Sequence, residues 1–406
     1  MKIFRIFVFL LIFLIPLSGC IQPTPHIGEV TSQFPQTPAV NELRGVWISY
    51  FEMDFGNLSE SDFREKTQEM YKNAANFGLN ALFVHVRSNS DAFYKSALFP
   101  FTKQLSGKDG STPDYDPLEI MVEIAHELNL EFHAWINPYR VSAITENPAD
   151  LQEGCPAKTW LTDTDESNDD WAVIAADGIY YNPAIPEVQK LILDGVREVV
   201  DGYDVDGIHY DDYFYPTIVE TFDAAAYTRY KVEAGGIAMP LSDWRRANVN
   251  ALVSGSYAIC KVKNRVFGIS PAAAVSTDHS DRNYTELYAD YSHWMINSGY
   301  VDYIAPQLYF GFDYPAPSFT YERLVTTWAA VPRLPSVKLY IGLAGYKIGK
   351  TDYDTNEWIE NTDILKRQVV RANELQANGF IIFSYESFVN DIEMFKEQME
   401  NLKEVQ

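Results

Sequence analysis

The sequence predicts an α/β fold, a (β/α)₈ TIM barrel with long loops on its C-terminal face, and three observations carry that expectation. From residue 43 onward, β-rich or apolar runs alternate with longer amphipathic stretches, eight of each, the order that parallel strands with crossover helices require. Each run is β-rich or apolar, as strands covered on both faces should be. The segments that follow the strand runs at 88–115, 141–185 and 214–240 are long, whereas the helical stretches are followed by short turns. Barrels build their sites on the long-loop side. The glycine-rich dinucleotide fingerprint that would favour an open doubly wound sheet is not found in the chain.

In chain order, residues 1–19 precede the fold. Lys2 and Arg5 give a basic start, 6–17 is almost wholly apolar, and Leu17-Ser18-Gly19-Cys20 follows. A short apolar run behind a basic start reads as an export signal rather than a membrane span. The tetrapeptide resembles the bacterial lipobox. That resemblance implies lipidation of Cys20 and a membrane-anchored lipoprotein of the cell envelope, at the outer membrane or cell surface; an ordinary cleaved signal peptide is the alternative. Residues 20–42 carry Pro23, Pro25, Pro35 and Pro38 among Thr, Gln and Ser with no apolar period, so a flexible tether is expected there. The barrel is expected over 43–406.

The expected strands are 44–50, 81–87, 131–137, 207–213, 266–270, 303–309, 339–344 and 380–385. Ser61 reads as the N-cap of a first helix over 61–77, with Gly78 just past its end. Asp116-Pro117 opens the second, with proline at the first helical position. The others are expected over 187–200, 241–262, 285–297, 321–330, 362–377 and 391–402. Asp206-Gly207 reads as a turn into the fourth strand, with no chemistry of its own.

Composition narrows the partners. With 47% hydrophobic and 22% charged residues the chain supports a large core rather than disorder. Its 26 Tyr and 8 Trp fill a core and also suit a sugar-lining surface, because their faces are apolar and their edges form hydrogen bonds. A net charge of −24 repels phosphate backbones and argues against a nucleic-acid partner. Cys155 and Cys260 either pair in an oxidising compartment or stay as buried thiols.

Polar and aromatic residues gather where the strand runs end. The sharpest case is Asp211-Asp212 after the fourth run. Glycoside cleavage uses two carboxyl groups, one as proton donor and one as nucleophile, base or charge stabiliser. Adjacent acids also repel, which raises one pKa and retains a proton near neutral pH. Strand alternation sets His209, Asp211 and Tyr213 on one face and Tyr210 and Asp212 on the other. Both acids therefore reach one ligand only where the strand ends or bulges.

Other chemistries are weaker. His85, His133 and His209 with Asp211 match a zinc hydrolase in residue type. No His-x-His or His-Glu-x-x-His spacing accompanies them, and each lies inside its strand end, which suits a core or supporting histidine. The acidic run 163–170 lacks the glycine and terminal glutamate of an EF-hand. No Gly-x-Ser-x-Gly elbow is present. No metal and no cofactor is expected.

Several of these segments carry a resemblance. Leu43-Arg44-Gly45-Val46-Trp47, His85-Val86-Arg87, Ala134-Trp135-Ile136-Asn137-Pro138-Tyr139-Arg140, Asn182-Pro183, the run from Asp206 to Pro216, and Ala305-Pro306-Gln307-Leu308-Tyr309 resemble the glycosyl hydrolase-like family 10 proteins, nearly throughout 43–390. The resemblance implies a bacterial barrel lipoprotein that cleaves peptidoglycan glycan strands stripped of stem peptides, with a carbohydrate polymer as partner. The paired acids are also similar to those of 2-acetamido-sugar hydrolases. By that likeness Asp211 orients the acetamido group and Asp212 is the general acid/base, with substrate-assisted attack. Arg87, Asn137, Asn182, His209 and Gln307 are then expected to contact sugar, and Trp135, Tyr213, Tyr309 and Tyr385 to stack on it or line its groove. The rival readings are a glycan-binding lipoprotein without catalysis and a hydrolase of another extracellular polysaccharide.

Overall fold

The computed structural model describes residues 42–107, 111–175, 178–390 and 393–405. The expected signal segment 1–19, Cys20 and the tether up to residue 41 lie outside the described residues.

The expected barrel is present. Its staves are β1 (Leu43–Ile48), β2 (Ala81–Arg87), β3 (Glu131–Ile136), β4 (Gly207–Tyr210), β5 (Val266–Ile269), β6 (Tyr303–Ile304), β7 (Lys338–Leu339 and Ile341–Ala344) and β8 (Gly379–Phe383). All neighbouring staves pair in parallel. The first segment of β7 pairs with β6 and the second with β8, and the Gly342 N–H donates to the Pro306 carbonyl at 2.9 Å. The two ends of the sheet are thus halves of one stave, and the barrel closes.

Helices alternate with the staves: α1 (Glu60–Asn76), α2 (Pro117–Glu127), α3 (Pro186–Gly202), α4 (Leu241–Val262), α5 (Tyr291–Ile296), α6 (Tyr321–Ala330), α7 (Ile364–Glu374) and α8 (Glu393–Lys403). Asp116 caps α2 by accepting from the Leu118 N–H at 3.2 Å, ahead of Pro117. The cap of α1 is Ser59, not Ser61, because Ser59 is extended and its Oγ accepts from Asp62. Gly78 follows α1 with φ +80°, the left-handed conformation that glycine adopts cheaply.

Several elements depart from expectation, three of them around the later staves and the long loop. The sixth strand stops at Ile304 rather than 309, because Pro306 has no N–H for the ladder; only Gln307 regains a bridge to either side. The fifth helix breaks into Arg282–Thr285 and Tyr291–Ile296, with Tyr288 at φ +56° between them. The loop 141–185 carries an antiparallel sheet of Arg140–Ser142, Ala172–Ala175 and Gly178–Tyr181 that the strand pattern did not announce. Cys155 and Cys260 are buried and unpaired.

Alternation fills the lumen. Trp47, Phe83, Trp135, Tyr303 and Ile381 pack inside the barrel, with buried His133 and His209 among them. Glycines on neighbouring staves make room for these rings. A Cβ on Gly268 would lie 2.2 Å from the Tyr303 ring. Gly268→Ala therefore has to displace Tyr303 or the strand. We expect a stability loss of about 1–3 kcal/mol or more, read as a lower denaturant midpoint at unchanged slope. A midpoint equal to that of the parent would contradict this packing.

Candidate active site

A cavity of about 380 Å³ opens at the C-terminal ends of the staves. It is lined by Trp47, Ser49, Tyr50 and Phe51 after β1, His85 of β2, Trp135, Asn137 and Arg140 at and after β3, Asp211 and Tyr213 after β4, Ser270, Gln307, Tyr309 and Phe383.

The regular part of β4 ends at Tyr210, so the alternation rule no longer governs the next residues. Asp211 continues the inward face of Gly207 and His209. It is 3% exposed, and its carboxyl accepts from the Trp135 indole N–H at 3.1 Å and the Tyr213 backbone N–H at 3.2 Å. Asp212 is half-buried and leans the other way, toward β5 and β6. The Gln307 amide donates to it at 3.3 Å and to the Ser270 carbonyl at 3.1 Å. One acid is held from the β3 side and its neighbour from the β6 side.

Burial pushes the Asp211 carboxyl up to about 7, the adjacent Asp212 charge adds to the rise, and Arg140 and the two N–H donors oppose it. Burial also raises Asp212, against the Gln307 bond and the charges of Arg282 and Arg140. The pair thus holds a proton close to neutral pH, as a property of both groups together.

Around the acids, several polar atoms lack a protein partner. Asn137 Oδ1 is within 3.0 Å of His85 Nε2, while Asn137 Nδ2, His85 Nδ1 and Ser270 Oγ are buried and unpartnered. The His85 ring stacks on Trp135 with centroids 3.3 Å apart, and burial holds His85 well below the usual histidine range. Tyr213 is 53% exposed at the rim, beneath the Arg140 guanidinium at 5.2 Å.

The structure thus brings Trp135, Asn137, Asp211, Tyr213, Gln307 and Tyr309 to one cavity, with Asp212 joined to it through Gln307. Four expected contacts are corrected. A β-bulge between His85 and Arg87 shifts the β2 register, so Arg87 points outward toward α3 and lies over the Phe99 ring at 4.6 Å. Asn182 is fully buried and braces its loop, donating to the Asp170 carbonyl and accepting from Ala184. His209 is fully buried in the lumen. The Trp47 indole donates to its Nε2 at 3.0 Å, so its Nδ1–H donates to the Tyr303 hydroxyl at 3.0 Å. Tyr385 leaves the barrel face, packs on Phe388 and accepts from Asn73 of α1 at 3.2 Å. Asp206 is structural, as expected, and accepts from the Phe132 N–H at 2.7 Å.

The zinc arrangement does not assemble. His133 pairs with Glu131, His209 with Trp47 and Tyr303, and His85 with Asn137. Among the described residues no cluster of three or more His, Cys, Asp or Glu is placed to hold a metal. In the acidic run, Asp165 accepts from Ser167 and Asp170 pairs with Arg229 at 2.6 Å.

Sequence reasoning missed Arg140, Tyr50, Ser49, Ser270 and Phe383 as lining residues. For Arg140 a signal existed: it closes the Asn137-Pro138-Tyr139-Arg140 segment, and the turn at Pro138 returns it to the rim.

The closed parallel barrel with paired carboxyls and aromatic walls at its C-terminal mouth is the architecture of the TIM-barrel glycoside hydrolases. Among solved structures, the PgaB (BpsB) glycoside hydrolase domain from Bordetella bronchiseptica matches with a TM-score of 0.57 at 13% identity, over 89% of this chain and 99% of that one. The chain belongs to the family described as glycosyl hydrolase-like 10, whose model matches residues 42–360. It is 39% identical to the glycosyl hydrolase YngK of Bacillus subtilis (strain 168) over 84% of this chain and 68% of that protein. To the glycosyl hydrolase DigH of Escherichia coli (strain K12) it is 32% identical over 90% and 88%.

A carboxyl raised in the native state binds protons more tightly there than in the unfolded chain. It therefore lowers stability as pH rises from the ordinary aspartate range through about 7. Asp211→Asn removes that penalty. Its melting temperature should exceed that of the parent at pH 8, with the gap closing toward pH 4. A pH-independent difference would show that the Asp211 carboxyl is not raised.

Proposed function

We propose that this protein is a glycoside hydrolase that cleaves 2-acetamido-sugar glycan, with peptide-free peptidoglycan strands as its substrate. In this reading it acts in the cell envelope, held to a membrane by a lipid on Cys20. The observation that carries the enzymatic part is that Asp211 lines the aromatic-walled mouth and that the adjacent Asp212 is joined to the same mouth through Gln307.

The roles follow from the surroundings. Asp211, the deeper acid, accepts the acetamido N–H and thereby aims the acetamido oxygen at C1. Asp212, the more accessible acid, gives its proton to the departing glycosidic oxygen as the acetamido oxygen bonds to C1 and the C1–O bond breaks. Water then attacks C1, Asp212 takes a proton from it, and the acetamido group is released. Asn137 Nδ2 and Ser270 Oγ are the donors left for sugar hydroxyls. Trp135, Tyr213 and Tyr309 give aromatic surface for the sugar face.

Substrate assistance is supported by the end of β7. A retaining pair needs a second carboxylate about 5–5.5 Å from the first. β7 runs instead into Gly345-Tyr346-Lys347, and Lys347 is held by Asp352 at 2.6 Å.

The test is mass spectrometry of products from stripped wall glycan. Asp212→Asn should lower kcat by about 10²–10⁴-fold, and Asp211→Asn should be of comparable severity on acetamido substrates. The alkaline limb of the parent profile should fall near pH 7, where the pair loses its shared proton. In Asp211→Asn that limb should move to lower pH, because Asp212 no longer has a like charge beside it. Unchanged turnover in Asp212→Asn would favour the glycan-binding reading instead.

A further inference from the structure

Arg140 is the one Lys or Arg lining the 380 Å³ cavity among the described residues, in a chain of net charge −24. Its side chain is fixed but its charge is not matched. Nε donates to the Ser88 carbonyl at 2.9 Å, and the guanidinium lies 5.2 Å from the Tyr213 ring and 5.8 Å from the Tyr50 ring. The backbone of Arg140 opens the short antiparallel sheet, opposite Tyr180. Most other arginines around the barrel have a carboxylate within ion-pair distance, among them Arg245, Arg246, Arg282 and Arg371. Arg140 has none. The groups it faces are Asp211 and Asp212 across the mouth and His85 and Asp91 behind, whose pKa values its charge shifts from a distance.

The residue also stands at a seam. A second cavity of about 290 Å³ is lined by Tyr50, Asp91 and Gln152 together with Val141 and Ser142, the two residues after Arg140. Tyr50 lines both cavities. A chain of sugars longer than the first cavity therefore passes Arg140 on its way to the second. Asp91 Oδ1, buried and unpartnered on that path, offers an acceptor for it.

We propose that Arg140 is the specificity residue of this site, reading a carboxylate carried by the sugar next to the cleaved bond. Nε stays on Ser88 and the terminal N–H groups bind the carboxylate in the planar fork that guanidinium and carboxylate share. In wall glycan such a carboxylate is the lactyl group of the muramic residue. It is a free anion only once the stem peptide has been cut away, since the peptide occupies it as an amide. Arg140 would thus make the enzyme wait for peptide removal. The inference rests on the glycan-cleaving reading above. A uronic acid would present the same chemistry, so the source has to be separated by experiment.

The experiment compares kcat/KM on stripped wall glycan, on the same glycan with its lactyl carboxylates converted to methylamides, on chitohexaose, and on a glycan alternating GlcNAc with a uronic acid. Binding of short fragments of each is measured by calorimetry in parallel. For the parent, methylamidation should lower kcat/KM roughly 10- to 100-fold. In Arg140→Met the preference for free-carboxylate glycan over chitohexaose should collapse by the same factor, mainly through KM, and Arg140→Lys should restore part of it. Preference for the uronic polymer over the wall glycan would reassign the carboxylate to a uronic acid and overturn the muramic source. If Arg140→Met lowers all substrates equally with a displaced pH profile, the residue only tunes the aspartates and the proposal falls. It also falls if the parent cleaves methylamidated glycan as well as the free acid. If the parent cleaves nothing, the hydrolase reading fails separately. The calorimetric preference for free over amidated fragments, kept by the parent and lost in Arg140→Met, still decides the role of Arg140.

Discussion

Two carboxyl groups on consecutive residues, drawn out of bulk water at the end of one stave, set the terms for everything around them. Each loses hydration, and each raises the cost of ionising the other. The surroundings offset this with a limited set of donors. Asp211 receives the Trp135 and Tyr213 N–H groups, Asp212 receives Gln307, and Arg140 supplies a field felt by both. That supply is enough to keep the acids in place and too small to keep both ionised at neutral pH.

The aim of Asp211 depends in turn on how the lumen is packed. Trp135 can donate to it only while its ring is pinned, and His85 stacked on one side and His209 edge-on at 6.2 Å do the pinning. His209 is itself fixed by the donor-only indole of Trp47 and by Tyr303. Burial holds that imidazole well below its usual range, so it stays neutral. Neutrality matters, because an imidazolium below Asp211 would pull the acid down and release the shared proton. On the outer side, the loop after Asp212 is anchored by Arg245. Its guanidinium grips the buried Asp223 carboxylate at 2.6 Å and 2.9 Å between the rings of Tyr215 and Tyr288. A buried pair of this kind contributes position more surely than stability.

Much of this was legible in the chain because it repeats. Amphipathic period placed 241–262 and 321–330 at the bounds the structure has, and apolar runs placed the eight staves in order. The acid pair was legible because strand ends in such barrels face the mouth. What failed did so where position depends on a partner strand. Counting along β2 puts Arg87 on the same face as His85, but an extra residue opposite β3 reverses it, and a bulge leaves no local mark in this sequence. His209 obeyed the alternation rule, yet the rule does not say how deep in the lumen a residue lies. Asn182 and Tyr385 are polar or aromatic residues near strand and loop ends, with the same appearance as site residues, and only their bonds to Asp170 and Asn73 reveal bracing roles.

Some of the buried polar groups left without partners stand at the mouth. Natural proteins satisfy nearly all buried donors and acceptors, so a concentration of orphans calls for a reason. In the frame, Asp206, Asn283, Glu357 and Asp223 each take two or more bonds, while buried groups such as the Arg87 guanidinium and the Tyr94 and Tyr139 hydroxyls are also left without a partner. At the mouth Asn137 Nδ2, His85 Nδ1 and Ser270 Oγ are unpartnered, and the Arg140 fork has no carboxylate. They belong to residues that line the same cavity as Asp211. A frame rigid enough to leave these groups unsatisfied, rather than collapsing to pair them with one another, stores binding capacity for a polar ligand.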